Sequence, residues 1–135
     1  MVELCRIVLF IAILFLPFAG LASVAGAEPK TVITQADNGK EIAVSEGEVF
    51  EVRLERSGGT GYSWEIVDPD ETHLKVLSST DTPLKQGRIV GGPLLTEWQV
   101  KALKAGNTKL KILLYRPWEG IEKAAERFQV NIQIR

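Results

Sequence analysis

Glu48-Val49-Phe50-Glu51-Val52-Arg53-Leu54-Glu55 is the stretch that decides the fold. Phe50, Val52 and Leu54 alternate with Glu51, Arg53 and Glu55, a period of two that sends apolar side chains to one face and charges to the other, as in a half-buried strand. The same alternation recurs downstream. Trp98, Val100 and Ala102 alternate with Gln99 and Lys101, and Leu110, Ile112 and Leu114 alternate with Lys109, Lys111 and Leu113. Near the end, Phe128, Val130, Ile132 and Ile134 alternate with Gln129, Asn131, Gln133 and Arg135. Shorter strand candidates cover residues 31–35, 41–44, 62–67 and 74–79. Asn38-Gly39 predicts a two-residue hairpin turn, because both residues tolerate positive φ, and Gly106-Asn107 predicts a similar turn between Val100 and Ile112. Seven or eight short strands at intervals of about ten residues predict an all-β, antiparallel sandwich or barrel. Only residues 121–127 (IEKAAER) have helix-forming composition, and they fit one or two turns of helix or an ordered loop.

Outside this strand pattern lies the N-terminus. Arg6 precedes an unbroken apolar run from Ile7 to Phe18, followed by small residues and the small-x-small pattern Ala25-Gly26-Ala27. That arrangement predicts a hydrophobic signal segment over residues 1–27, cut before Glu28, and an exported domain over 28–135 that is periplasmic or secreted. Retention of the segment as an anchor is the alternative, since apolar and small residues continue to Ala27 for about the length of a membrane span. Cys5 lies ahead of the apolar core, so it is not the lipid-bearing first residue of a mature lipoprotein.

Composition then removes whole classes of function. The chain has 135 residues and a formal net charge of -1, from 16 Lys+Arg against 17 Asp+Glu. A nucleic-acid binder needs a basic stripe to neutralise phosphates, and none is present. One Cys and one His, Cys5 and His73, supply neither a zinc ligand set nor an intrachain disulfide, so no metal and no cofactor is expected. His73 ends the polar run Asp68-Pro69-Asp70-Glu71-Thr72-His73 and reads as an exposed histidine without a partner, which leaves no catalytic residues to assign.

Three segments are more than connections. Ser57-Gly58-Gly59-Thr60-Gly61-Tyr62-Ser63-Trp64 sets three glycines around a single Thr between two strands. Glycine permits positive φ and close approach of another backbone. A phosphate cradle is disfavoured there, since the loop leads into a strand and carries no Lys. Gly91-Gly92-Pro93-Leu94-Leu95-Thr96-Glu97 is a second glycine-led connection before a strand, with two leucines open to solvent on this reading. Tyr115-Arg116-Pro117-Trp118-Glu119-Gly120 follows a strand; Pro117 ends it, and the loop carries Arg and Trp, the residues most enriched in binding hot spots. Composition alone leaves two readings of it open, a presented Trp118 or one folded back to cap the core. Trp64 and Trp98 are in phase with buried positions and belong to the core.

Taken in order, these segments resemble the chagasin-type protein inhibitors of papain-like cysteine peptidases. Members carry an Asn-Pro-Thr-Thr-Gly-(aromatic)-x-Trp loop, a glycine-rich second loop leading to Thr-Glu, and an Arg-Pro-Trp third loop. Ser57 to Trp64, Gly91 to Glu97, and Arg116 to Trp118 look like these three. Lys101-Ala102-Leu103-Lys104-Ala105-Gly106 and Glu126-Arg127-Phe128 look like the family's connecting strand and its approach to the last strand. Two departures stand out: Ser57-Gly58-Gly59 replaces Asn-Pro-Thr, and Pro93 with Leu94-Leu95 is inserted around the second loop's glycines. The third loop matches throughout.

The resemblance implies an immunoglobulin-like antiparallel β-sandwich, an inhibitor and not an enzyme, with its three loops at one end occluding the catalytic cleft reversibly and without a covalent bond. It implies a peptidase-binding set of Gly59, Thr60, Gly61, Tyr62, Gly91, Gly92, Leu94, Arg116, Pro117 and Trp118. In that set Trp118 is the anchor and Thr60 sits over the thiolate, while Arg116 either pairs with an acidic group or braces the Trp ring. The expected partner is a papain-like cysteine peptidase, met by a monomer. A different class, a cell-envelope module binding peptides or glycans through the same loops, fits the same scaffold, because a sandwich hosts many functions.

Overall fold

A computed structural model describes residues 31–84 and 91–135. The proposed signal segment lies outside the described residues. Those described form eight strands: β1 (Val32–Thr34), β2 (Glu41–Val44), β3 (Val49–Ser57), β4 (Ser63–Val67), β5 (Leu74–Pro83), β6 (Pro93–Ala102), β7 (Gly106–Tyr115) and β8 (Glu126–Ile134). Two four-stranded sheets result, ordered β1-β3-β6-β5 and β2-β8-β7-β4. This is the immunoglobulin-like arrangement, with the alternating apolar positions of both sheets meeting in one core. Phe50, Val52 and Leu54 of β3 face it with Trp98, Val100 and Ala102 of β6, and the second sheet contributes Leu110, Ile112, Phe128, Val130 and Ile132. Trp64 and Trp98 are both buried, as their phase requires.

The sandwich is mixed and not wholly antiparallel. β1 runs parallel to β3 and β2 parallel to β8. Between them a single 3-10 turn, Gln35–Asp37, carries the chain from one sheet to the other. Asn38-Gly39 is therefore no hairpin. Its side-chain amide donates to the Arg127 carbonyl at 3.2 Å and accepts from the Gln129 amide at 3.0 Å, while the Gly39 amide donates to the Gln129 carbonyl at 2.7 Å. The pair stitches the crossing chain to β8. Gly106 likewise opens β7, which lies in the sheet opposite β6, so the turn there links sheets and not neighbouring strands. Residues 121–127 hold one 3-10 turn, Ile121–Lys123.

At the pole of the β4–β5 and β6–β7 connections, His73 is not the partnerless residue that composition suggests. Its Nδ1 lies 2.8 Å from Asp70 Oδ2, and the same oxygen accepts the Thr108 hydroxyl at 2.8 Å. The Thr108 hydroxyl, and after it His73, hold the Asp70 carboxyl below the usual carboxylate range, against the opposing effect of partial burial. A carboxyl depressed in the folded state stabilises the fold fully above the ordinary carboxylate range, and that contribution disappears as pH falls through the lower folded value. Thr108→Val is expected to lower the melting temperature at neutral pH, and the gap from wild type narrows in melts run well below pH ~4. A gap that stays constant with pH contradicts this assignment.

Candidate functional site

Strand register alone places three connections at the opposite pole. β3 ends at Ser57 opposite Pro93, where β6 begins; β5 ends at Pro83 opposite Leu94; and β4 begins at Ser63 opposite Tyr115, where β7 ends. The β3–β4, β5–β6 and β7–β8 connections must therefore emerge side by side. These carry the three segments that the sequence singles out.

The first is a tight turn. Gly59 (φ 73°) and Gly61 (φ 78°) take the left-handed conformation on either side of an exposed Thr60, whose hydroxyl donates to the Ser57 carbonyl at 3.3 Å. Positive φ at two positions out of three prevents an extended backbone there. The third segment is a turn of another kind. The Glu119 amide donates to the Arg116 carbonyl at 2.9 Å, with Pro117 at the second corner, where its fixed φ belongs. Trp118 at the next corner is 71% exposed, so it does not fold back over the core.

Contacts between the segments are direct. Arg116 Nε donates to the Thr60 carbonyl at 2.9 Å, its guanidinium lies 4.4 Å from the Tyr62 ring centroid and 5.9 Å from that of Trp118, and Nη1 pairs with Glu119 at 3.4 Å. Arg116 thus joins both roles left open by the sequence and adds a backbone contact 56 residues away. The Trp118 ring covers Gly61, leaving no room for a Cβ. On the other flank the Gly58 amide donates to the Gly92 carbonyl at 3.1 Å, and a Cβ on Gly59 would lie 3.2 Å from Gly91 Cα. Glycines at these positions let two backbones touch.

Leu94 lies in strand, one residue past the Pro93 that opens β6. Residues 93–97 are the start of β6 and not a loop, because β3 continues to Ser57 and offers them a full ladder. Leu94 is half-buried, in the phase of Thr96 and Trp98, one step below the tip, and Leu95 is half-buried with it. The structure therefore brings Gly59, Thr60, Gly61, Tyr62, Gly91, Gly92, Arg116, Pro117 and Trp118 to one tip and sets Leu94 beneath it.

Arg56 is a residue that the loop motifs overlook. Its side chain is 12% exposed; Nη1 donates to the Tyr62 carbonyl at 3.0 Å and Nη2 to Asp81 at 3.1 Å, and Asp81 in turn accepts the Thr96 hydroxyl at 2.6 Å. It braces the first loop from below. The signal in the sequence is phase, since Arg56 continues the inward series Phe50, Val52, Leu54 where a charge is out of place.

A β-sandwich that gathers three segments at one pole, the first bonded to each of the other two and an exposed Trp beside them, has the architecture of a loop-presenting binding protein. The chain belongs to the chagasin family: the family described as Chagasin family peptidase inhibitor I42 matches residues 43–132. Among curated relatives, Amoebiasin-2 of Entamoeba histolytica is 26% identical over 104 residues, covering 77% of this chain and 85% of that protein. Chagasin of Trypanosoma cruzi is 26% identical over 106 residues, covering 75% and 94%. A crystal structure of a cysteine protease inhibitor from Entamoeba histolytica superposes with a TM-score of 0.69 at 25% identity, covering 78% of this chain and 95% of that one. A further structure, of PbICP-C in complex with falcipain-2, shares the fold at 21% identity and a TM-score of 0.53, covering 83% of this chain and 96% of that one. The family is one of inhibitors, not of enzymes.

Proposed function

We propose that this chain is a reversible, non-covalent, tight-binding inhibitor of papain-like cysteine peptidases, which inserts the turn around Thr60 into the catalytic cleft and grips its flanks with the other two segments. The observation that carries this reading is the Arg116 to Thr60 hydrogen bond, which with the Gly58 to Gly92 bond makes one wedge of three turns. A peptidase of this class holds its substrate extended and attacks a carbonyl with a thiolate activated by an imidazolium. The left-handed glycines on both sides of Thr60 keep the turn out of the aligned geometry, about 3 to 3.5 Å from nucleophile to carbon, that attack needs. A turn already braced by Arg116 and Arg56 also has little conformational entropy left to lose on docking.

Titrating papain with the purified protein tests the proposal: stoichiometric loss of activity supports it, and full activity at saturating protein sinks it. Thr60→Arg is expected to weaken inhibition by about 1 to 2 kcal/mol, the cost of overfilling a packed contact, with the melting temperature unchanged because Thr60 is exposed. Export belongs to the same proposal; N-terminal sequencing of the protein recovered from its host should begin at Glu28.

A further inference from the structure

An inhibitor that puts a peptide into a peptidase's cleft has to avoid being its substrate, and the tip contains a device suited to that. Thr60 is exposed between two left-handed glycines, so on the plug reading its carbonyl is a candidate for attack by a nucleophile in the cleft. That carbonyl is already engaged: it accepts from Arg116 Nε at 2.9 Å, and Arg116 is in turn fixed against the Tyr62 ring and Glu119. A bond from a charged donor polarises a carbonyl, so it confers no chemical inertness; what it sets is direction. Hydrolysis requires the oxygen to swing into a set of donors placed where the oxyanion develops, and here the oxygen is tied to the inhibitor's own third segment. Rotating the peptide plane would break the Arg116 bond, and the Trp118 ring packed against Gly61 leaves the turn little space in which to rearrange.

We propose that Arg116 is the positioning residue that keeps the Thr60–Gly61 bond from being cut, by holding the Thr60 carbonyl away from the orientation that attack requires. This rests on the reading of the tip as a plug for a papain-like peptidase. Without Arg116 only the left-handed glycines hold the carbonyl out of line, and the bond becomes a slow substrate. The thiolate adds to the Thr60 carbonyl carbon, and the bond to the Gly61 nitrogen breaks as the imidazolium protonates that nitrogen. Water then releases the Thr60 carboxylate from the thioester and restores the thiol.

The experiment incubates excess wild-type protein and Arg116→Ala with catalytic papain, following intact mass, residual inhibition and melting temperature over hours. Wild type should stay whole. Arg116→Ala should inhibit at first and then fade as one new fragment beginning at Gly61 accumulates, at a rate about ten- to a hundredfold above wild type, the span of one lost hydrogen bond from a charged donor. A folded variant that stays whole while inhibiting like wild type overturns the proposal. So does one that loses inhibition without any cut at that bond, or that is nicked at many sites. Arg116→Met, which keeps an unbranched stem and has no donor, is judged by the same outcomes and replaces the alanine variant should that one fail to fold. Wild-type protein that leaves papain fully active defeats the plug reading itself, whereas inhibition with an uncut variant defeats only the role of Arg116.

Discussion

Trp118→Ala should weaken inhibition of papain by about 2 to 4 kcal/mol, roughly 30- to 800-fold, while the melting temperature stays at the wild-type value. The size follows from what the ring has left to bury. An aromatic side chain covers about 150 to 250 Å², and at about 25 cal/mol per Å² the portion still open on a ring that is 71% exposed is worth roughly 3 to 4 kcal/mol as a ceiling. Stability should not follow, because the ring rests on Gly61 and near Arg116 at the tip and is no part of the core. Exposed positions of that kind change stability by no more than about 0.5 kcal/mol. Inhibition titrations and melts of the two proteins side by side measure both quantities, and equal inhibition constants would remove Trp118 from the contact.

How much of this was readable in advance divides along physical lines. Alternation reports which face a side chain takes, so the strands through Phe50, Trp98, Ile112 and Val130 and the burial of Trp64 and Trp98 were legible residue by residue. Alternation carries no information on strand direction or partner. That is why it does not reveal the parallel pairs β1·β3 and β2·β8, and why Asn38-Gly39 reads as a hairpin when its amide instead reaches β8, about ninety residues on in sequence. Leu94 illustrates the same gap: the glycines before it suggested a loop, but the length of β3 opposite decides that it is strand. The three tip segments were legible as motifs. Their bonding to one another was not, since the acceptor for Arg116 is a backbone carbonyl, which no side-chain pattern reveals.

A second tryptophan offers the complementary test. Trp64 is 4% exposed, pairs across β4 and β7 with Leu114, and its indole Nε1 donates to the Glu55 carbonyl of β3 at 3.0 Å. Since β3 and β4 lie in different sheets, this one side chain both fills the core and ties the sheets together at the root of the first loop. Trp64→Ala should cost about 3 to 5 kcal/mol of stability, the range for removing a buried aromatic ring. At roughly 4 °C or more per kcal/mol for a domain near 100 residues, the melting temperature falls by at least about 12 °C. Trp64→Phe retains most of the ring and should cost less, about 0.5 to 1.5 kcal/mol for the lost indole bond, because the Glu55 carbonyl keeps the Gln35 side-chain amide as a donor at 3.1 Å. Assayed below its own melting temperature, the alanine variant should lose less inhibition than Trp118→Ala does, since every tip residue is still present. The two tryptophans thus exchange their readouts, one moving affinity and the other stability; if Trp64→Ala instead left the melt unchanged, the sheets would not be joined through that indole.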